Sequence, residues 1–390
     1  MYSRTFFALM LSNASLRVAT MMLVALVPLY AFDLGLSPAE VGLTSTLYFA
    51  TAALSRPLAG WLVDAKGRWM AMLLGASFFT IGTGLYLLSL PVWLFLALRA
   101  LQGAGFSLNS TAVGTLATDI IPEKKLAEGL GILSLEQTVV TIFAPGLALT
   151  LREVAGYETA FGVALAFCLM NFLLRIPLAK PAKEVERRRR ASMSSAANRG
   201  FLQLVEKDAW RPATVMLCFM FGTTCVNTFL AAYGQQQGLG NVGLFFVASG
   251  VALAISRLLM GWLRRRMSLT AIVCFGVLFS AGSMALIYFS ASMAMLIIAG
   301  ACFGLGAGVV SPAMNSISVL SAKPEARGRA SATYFFALDV STAVGAWVLG
   351  LVASAYSLRE VFAVSGVLVL GALLLILWLH CTQRLPRKGF

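Results

Sequence analysis

The chain has 390 residues, of which 59% are hydrophobic and 12% are charged, and its formal net charge is +14. A soluble domain carries roughly 25% charged residues, so this composition excludes a soluble globular protein and indicates a membrane protein. The six cysteines have no regular spacing and the chain holds one histidine, so neither a disulfide framework nor a metal site is expected, and no cofactor is predicted.

A membrane-spanning helix needs about 20 mostly apolar residues, and each half of the chain contains six such stretches. In the first half they are residues 5–31, 40–63, 69–90, 92–117, 127–151 and 157–178. In the second half they are residues 212–234, 240–263, 268–290, 293–319, 328–353 and 359–380. We therefore predict an all-α membrane protein with twelve transmembrane helices. Residues 1–178 would form one six-helix bundle, 179–211 a cytoplasmic linker, and 212–390 a second bundle with a short cytoplasmic tail.

The two halves repeat one sequence frame. The stretch LSRPLAGWLVDAKGRWM at 54–70 is matched by AISRLLMGWLRRRM at 254–267, which aligns Ser55 with Ser256 and Gly60 with Gly261. A repeat of about 200 apolar residues predicts two pseudo-symmetric membrane halves, as in many transporters.

The basic residues follow a pattern that predicts the orientation of the chain. If the N-terminus is cytoplasmic, the outer loops hold only Arg152 and Arg359, and the inner loops and tails hold most other basic residues, including Arg175 at the end of the sixth stretch. This asymmetry predicts an inner-membrane protein with both termini in the cytoplasm. The run Arg187 to Arg190 could bind nucleic acid or anionic lipid, but its position favours a determinant of topology, and no nucleic-acid partner is expected.

A loop motif after the second stretch carries a family resemblance. Gly60, Asp64, Gly67 and Arg68 form the frame Gly-x-x-x-Asp-x-x-Gly-Arg, which resembles motif A of the major facilitator superfamily. Gly60 is expected to let helices approach closely, and Asp64 to lie at a helix N-terminus. The resemblance implies that Asp64 and Arg68 latch the two halves together on the cytoplasmic side. The alternative is a plain capped turn.

Two further motifs are present in weaker form. Arg99, Gln102, Gly103 and Gly105 resemble motif B of that family, and the resemblance links Arg99 to proton coupling. Ala144, Pro145 and Gly146 stand where many exporters carry a longer glycine-rich antiporter motif. Pro145 is also explained as a helix kink.

Ionisable residues inside a membrane are costly and therefore suggest function. Arg17, Glu136 and Asp339 each lie about ten residues inside a predicted span, which places them near the membrane midplane. Glu136 and Asp339 fall in equivalent spans, so both are candidates for proton coupling, and their protonation would depend on partner and hydration. The alternative is a permanent ion pair, Glu136 with Arg17 or Arg99, that only fixes helix packing.

Other polar residues inside the spans are candidates for a substrate cavity. Arg17 and Asn13 share a helix face and could offer donors to a carboxylate-bearing ligand, although Arg17 could equally serve only as the counter-ion of Glu136. The full set of cavity candidates is Asn13, Arg17, Asn109, Thr111, Gln137, Thr223, Thr224, Asn227 and Asn315. Each is individually a weak candidate, because such side chains also bond between helices.

Together these features predict a transporter that works by alternating access and exports a small organic molecule, drug-like or an endogenous metabolite such as a siderophore, in exchange for protons. The resemblance suggests a monomer. A proton symporter for uptake of a sugar or organic acid is the main alternative, and a non-transporting membrane receptor a weaker one. The sequence carries no phosphate-binding loop, paired-histidine zinc motif or nucleophile elbow, so an enzyme is not expected.

Overall fold

The computed structural model describes residues 4–88, 91–121, 126–180, 182–184, 210–322 and 327–382. These residues are helical almost throughout and contain no strand. The helices of the first half begin with α1 (Arg4–Asp33), α2 (Pro38–Ala65), α3 (Arg68–Leu85) and α4 (Val92–Ile120). The second half contains α7 (Trp210–Gln236), α8 (Gly243–Arg266), α9 (Leu269–Tyr288), α10 (Met293–Ser321), α11 (Arg327–Ala355) and α12 (Leu358–Cys381). The basic run Arg187 to Arg190 lies outside the described residues.

The fifth and sixth spans form one helical run, Leu126–Arg175, that is broken at a single residue. Gly156 has φ 81° and ψ 175°, which no helical residue adopts, and glycine enters this region without a steric penalty. We call the part before Gly156 α5 and the part after it α6. A short 3-10 turn, Ile176–Leu178, follows α6. The gap that the sequence predicts between the fifth and sixth spans, residues 152–156, is thus a break at Gly156 alone. With α5 and α6 counted separately, the fold is the expected twelve-helix arrangement.

Within the described residues, eight helical segments are long and apolar enough to cross a membrane by length and composition. One of them, Leu135–Leu178, covers most of α5 and all of α6. The three remaining helices, α2, α3 and α4, each carry an arginine and several small polar residues, which lowers their mean hydropathy. The described chain is thus that of a multi-pass membrane protein.

Contacts group the chain into two units. Unit 1 comprises Met1–Leu23 and Leu47–Arg199, and unit 2 comprises Val24–Thr46 and Gly200–Phe390. This grouping differs from the predicted division at 179–211 in one segment, Val24–Thr46. That segment includes the end of α1 and the start of α2.

Small residues let Val24–Thr46 pack against α11 within unit 2. A Cβ atom on Gly42 would collide with the carbonyl oxygen of Ala346, and one on Gly350 would lie 2.7 Å from the carbonyl oxygen of Pro38. Thr46 Oγ1 also donates to the carbonyl oxygen of Ala343 at 2.6 Å. Close backbone approach with hydrogen bonds between helices is how helices associate in lipid, where apolar burial gives no driving force.

The same close helix contact occurs once in each unit. In unit 1, a Cβ atom on Gly75 of α3 would lie 2.7 Å from the carbonyl oxygen of Gly105 of α4. In unit 2, a Cβ atom on Gly276 of α9 would lie 2.9 Å from the carbonyl oxygen of Gly306 of α10. Gly75 and Gly276 are 201 positions apart, as are Gly105 and Gly306. This is the spacing of the sequence repeat, so the repeat is also a repeat of packing.

Candidate functional site

Glu136 of α5 faces two polar residues of α1 within unit 1. Asn13 Nδ2 donates to Glu136 Oε2 at 3.0 Å, and Arg17 Nε lies 3.5 Å from Glu136 Oε1. The Glu136 side chain is 6% exposed and that of Arg17 is 22% exposed. Asn13 and Arg17 are one helical turn apart, so both side chains lie on one face of α1. The structure thus places Arg17 beside Asn13 and Glu136, as the shared helix face and the possible ion pair of the sequence analysis suggest.

The ion pair in this group is close but not hydrogen-bonded. Arg17 Nε and Glu136 Oε1 are both buried, and neither atom has a hydrogen-bond partner among the residues that the structure describes. A carboxylate oxygen without a donor retains the lone pairs that can accept a proton. A guanidinium that is held by charge alone is likewise able to turn towards another anion. The group therefore has the chemistry of a protonation site with an adjacent anion-binding cation.

Arg99 of α4 contacts Gln102 and Tyr48 within unit 1. Its side chain is buried, its Nη1 donates to Gln102 Oε1 at 3.0 Å, and its guanidinium carbon lies 4.6 Å from the centre of the Tyr48 ring. Tyr86 donates to the same Gln102 oxygen at 3.2 Å, and Gln102 Nε2 donates to Thr83 Oγ1 at 3.2 Å. Arg99 thus contacts α2 through Tyr48, while Gln102, to which it donates, connects α4 to α3.

The structure gives the motif A arginine a partner that the sequence did not suggest. Arg68 Nε donates to Asp119 Oδ2 of α4 at 2.9 Å, whereas Arg68 Nη1 lies 4.0 Å from Asp64 Oδ1. Gly67 has φ 99° and precedes α3. The sequence does not single out Asp119 because this residue lies at the end of a predicted span. A charged side chain there is close to water and does not carry the free-energy cost of a charge inside the membrane.

One expectation about this loop is wrong. Gly60 was expected to allow a close helix contact, but a Cβ atom there would meet nothing within 4 Å in the described part of the chain. Helix contacts of that kind are made by glycines of α3, α4, α9 and α10 instead. The frame of the motif therefore does not reveal which of its glycines is sterically required.

Asp339 lies in α11 and is 7% exposed. The repeat of 201 positions places Asp339 in register with Thr138 and Glu136 in register with Ala337. Two residues along a helix correspond to about 200° of rotation, so the two acids occupy nearly opposite faces of equivalent helices. Glu136 and Asp339 therefore lie in equivalent spans of the two repeats, as expected, but not on equivalent faces of those helices.

The remaining cavity candidates have varied environments. Gln137 and Asn227 are exposed, and Thr111 is half-buried. Thr223 and Thr224 are buried and donate to carbonyl oxygens of their own helix, which is the ordinary role of threonine in a membrane helix. Asn315 is half-buried, and its Oδ1 has no hydrogen-bond partner within the described ranges.

Arg175 was expected in an inner loop, but the structure places it at the end of α6 with 0% exposure. Its Nε donates to Ser12 Oγ at 3.2 Å, and its other two nitrogens donate to the carbonyl oxygen of Met72 and to Asn109 Oδ1. The expectation failed because the residue borders a basic linker in sequence. The cavity candidate Asn109 is thus engaged by Arg175.

A cavity of about 430 Å³ lies in unit 2. It is lined by the ends of α1, α2, α7, α11 and α12, at residues Leu29, Phe32, Asp33, Pro38, Ala232, Gln235, Gln236, Ala353, Tyr356, Ser357 and Leu358. None of the predicted cavity residues lines it. In the described ranges no three His, Cys, Asp or Glu residues are grouped closely enough to hold a metal ion.

Comparison with known proteins relates this arrangement to one family. A sequence model described as Major Facilitator Superfamily matches residues 9–277 and 241–389. The chain is 24% identical to the uncharacterized MFS-type transporter YtbD of Bacillus subtilis (strain 168), over 98% of this chain and 96% of that protein. It is 26% identical to the multidrug resistance protein MdtG of Rahnella sp. (strain Y9602), over 93% of this chain and 89% of that protein.

A solved structure has the same fold. The peptide transporter POT in complex with sulfate superimposes with a TM-score of 0.79 at 16% identity, covering 97% of this chain and 94% of that one. The family match spans both halves of the sequence, and the related proteins are transporters and not enzymes. The chain therefore belongs to the Major Facilitator Superfamily and is a membrane transporter.

Proposed function

We propose that this transporter exports a small organic molecule across the bacterial inner membrane in exchange for protons, with both termini in the cytoplasm and as a monomer. Alternating access is the mechanism that the family and the two-unit repeat support. The relationship to the multidrug resistance protein MdtG favours a drug-like compound, and an endogenous metabolite such as a siderophore is the other substrate class. One proton that moves down 100 mV supplies about 2.3 kcal/mol, which suits a chain without an ATP-binding motif.

The observation that carries this proposal is the environment of Glu136. The carboxylate is 6% exposed, its Oε2 accepts a hydrogen bond from Asn13, and its Oε1 has no hydrogen-bond partner in the described part of the chain. Protonation at Oε1 would cancel the attraction of Arg17, so the charge of Glu136 and the freedom of Arg17 change together. An anionic group of a substrate could then take the place of the carboxylate beside Arg17.

Asp339 is the second candidate proton carrier and Arg99 a residue that supports coupling. Asp339 is buried, but it lies on the opposite face of its helix from the one that Glu136 occupies in the equivalent helix. The two acids therefore have different surroundings, and their substitutions should have different effects on transport. Arg99 is 1% exposed and already bound to Gln102 and stacked near Tyr48, so it acts through helix packing and not by direct contact with a ligand.

Proton flux in reconstituted vesicles tests the proposal. Vesicles with an internal pH dye receive cationic, neutral and anionic compounds, and wild type is compared with Glu136→Gln and Asp339→Asn. We expect a compound to drive protons in the direction opposite to its own movement, and Glu136→Gln to reduce this flux by at least about tenfold, since removing a positioned proton-transfer group costs about 10²–10⁴ in rate. Glu158→Gln, at the exposed start of α6, is the matched control and should behave as wild type.

The outcomes distinguish the candidate functions. Flux of protons and compound in the same direction would identify an uptake symporter. Coupled flux that survives Glu136→Gln and fails only in Asp339→Asn would move the proton site to α11. Transport that is unaffected in both variants would show that the acids serve only in packing, and the proposal of proton coupling would be wrong.

A further inference from the structure

Helix α1 carries two polar faces, and the second one is not explained by the Glu136 group. Asn13 and Arg17 face Glu136, while Ser12 and Ser15 bond to α6. At about 100° per residue, the mean direction of Ser12 and Ser15 differs from that of Asn13 and Arg17 by about 150°. The two polar pairs therefore lie on nearly opposite sides of α1.

A stripe of three residues on α6 binds the second face. The carbonyl oxygen of Phe167 accepts from Ser15 Oγ at 2.7 Å. Asn171 Nδ2 donates to the carbonyl oxygen of Ser12 at 2.6 Å and to Ser12 Oγ at 3.0 Å. Arg175 Nε donates to the same Ser12 Oγ at 3.2 Å. These residues are four apart, so they form one line along α6, and we call them the α6 clamp.

The polar residues of the α6 clamp and their partners on α1 are buried, and the clamp is anchored to the rest of unit 1. Ser12, Asn171 and Arg175 are 0% exposed and Ser15 is 3% exposed. Arg175 also bonds to the carbonyl oxygen of Met72 in α3 and to Asn109 in α4. Its rigid fork of donors thus joins four helices. Bonds at two points of α1, Ser12 and Ser15, resist rotation of that helix about its axis.

We propose that the α6 clamp is a positioning device that fixes the rotation of α1 and thereby holds Asn13 and Arg17 at Glu136. A rotation of α1 by a few tens of degrees would carry Asn13 Nδ2 out of hydrogen-bond range of Glu136, because the side chain lies several ångströms from the helix axis. Asn171 and Arg175 are positioning residues and touch no substrate. The proposal rests on the proposed role of Glu136, but its test does not require transport.

The test is a double-mutant cycle on the reactivity of Glu136. A hydrophobic carbodiimide modifies protonated carboxyl groups, and the rate of modification of Glu136 is followed by peptide mass spectrometry in the full-length protein in lipid nanodiscs at one pH. Removing a donor from a carboxylate favours its protonated form, so Asn13→Ala should raise the rate by about threefold or more. Asn171→Leu should raise the rate similarly, although Asn171 does not contact Glu136.

The decisive result is how the two changes combine. If the α6 clamp acts by positioning Asn13 and Arg17, the double variant Asn13→Ala with Asn171→Leu should react more slowly than the product of the two separate effects predicts, because part of the effect of Asn171→Leu passes through Asn13 and interacting residues are not additive. Independent multiplication of the two effects, or an unchanged rate in Asn171→Leu, would overturn the proposal. Ser110→Ala is the matched control, since its hydroxyl bonds within its own helix to the carbonyl oxygen of Ser107.

Two further variants keep the test decisive. If Asn171→Leu does not yield a monodisperse protein, Ser15→Ala removes a single hydroxyl of the clamp contact and runs the same cycle with the same expected and contrary results. Arg175→Lys keeps the positive charge but loses the planar guanidinium with its several donors. It should raise the modification rate of Glu136 less than Asn171→Leu does. A modification rate higher than that of Asn171→Leu would contradict the described geometry. A failure of proton coupling would appear in the flux assay of Glu136→Gln and would leave these rates unchanged.

Discussion

Arg68 binds one acid closely and a second acid loosely. Its guanidinium is nearly buried and lies 2.9 Å from Asp119, whose side chain is 23% exposed. Asp64 lies 4.0 Å away and its side chain is 68% exposed. Screening by water makes an exposed pair worth about 0–1 kcal/mol, whereas a buried charge that loses its partner is costly. The two acids of this loop therefore have different roles.

We predict that Asp119→Asn destabilises the protein more than Asp64→Asn does. The loss at Asp119 should be roughly 1–3 kcal/mol, because the Arg68 cation stays buried with a weaker partner, and the loss at Asp64 should be below about 1 kcal/mol. Apparent thermal unfolding midpoints of the purified variants in one detergent give the ranking. Equal midpoints, or the reverse order, would show that the Arg68 to Asp119 contact is not the stronger one.

If Asp64 latches the two halves as the family resemblance implies, Asp64→Asn should slow transport while the thermal unfolding midpoint stays close to that of wild type.

Residues in the middle of a span were easier to predict than residues at its ends. Glu136 and Arg17 stood out because a charge in an apolar run needs a physical reason, and the structure places them 3.5 Å apart. Arg175 and Asp119 lie where a span meets a loop, and there a charge is ordinary. Only the three-dimensional packing shows that Arg175 is buried. The α6 clamp could not be predicted from the sequence either, because half of its bonds use backbone oxygens and the others join residues that are distant in the sequence.

At the scale of the helix, glycine spacing explains which helices touch. Gly103 of α4 faces the backbone of Tyr48 in α2, and Gly304 of α10 faces the backbone of Ser249 in α8. A Cβ atom at either glycine would collide with the carbonyl oxygen of that partner. Both glycines and both partners are 201 positions apart, so the contact is repeated in each unit.

We predict that Gly103→Ala and Gly114→Ala have opposite effects although both lie in α4. At Gly103 the new methyl group must push α4 away from α2, and such overpacking typically costs about 1–3 kcal/mol. At Gly114 a Cβ atom would meet no described atom within 4 Å, and alanine is favoured over glycine in a helix by about 1 kcal/mol. Unfolding midpoints and the yield of monodisperse protein measure both effects. A tolerated Gly103→Ala would mean that α4 does not approach α2 as closely as described.

Span positions follow from hydropathy, while breaks within a helical run do not. The predicted and observed spans agree within a few residues, because a length of about 20 apolar residues is imposed by the bilayer. The division between α5 and α6 is a single glycine with φ 81°, and several other glycines of the chain sit inside unbroken helices. The backbone conformation of Gly156 depends on tertiary packing, so its role could not be singled out.

At the scale of the whole molecule, the distribution of basic residues is the basis of the proposed orientation. The net charge is +14, and most of the basic residues lie in loops that the predicted topology places on one side of the membrane. Such a bias orients membrane proteins with the basic loops in the cytoplasm. Arg175 is buried and no longer counts as a loop residue, but the outer loops still hold only Arg152 and Arg359. The proposed orientation therefore survives the correction. It also determines what the flux assay means, since export and uptake are defined by the side at which the substrate enters.

We predict that a membrane-impermeant maleimide labels Cys381 in inverted membrane vesicles and not in intact spheroplasts. Cys381 is exposed at the end of α12, whereas the five other cysteines are buried or half-buried. Val154→Cys in a Cys381→Ser background provides the opposite control, because residue 154 is 81% exposed next to the α5 to α6 junction and an odd number of spans from the C-terminus. It should be labelled in spheroplasts. The reverse pattern would place both termini outside and would contradict the proposed orientation. Labelling of both sites from one side would contradict the twelve-span topology, because residues 154 and 381 are separated by seven spans.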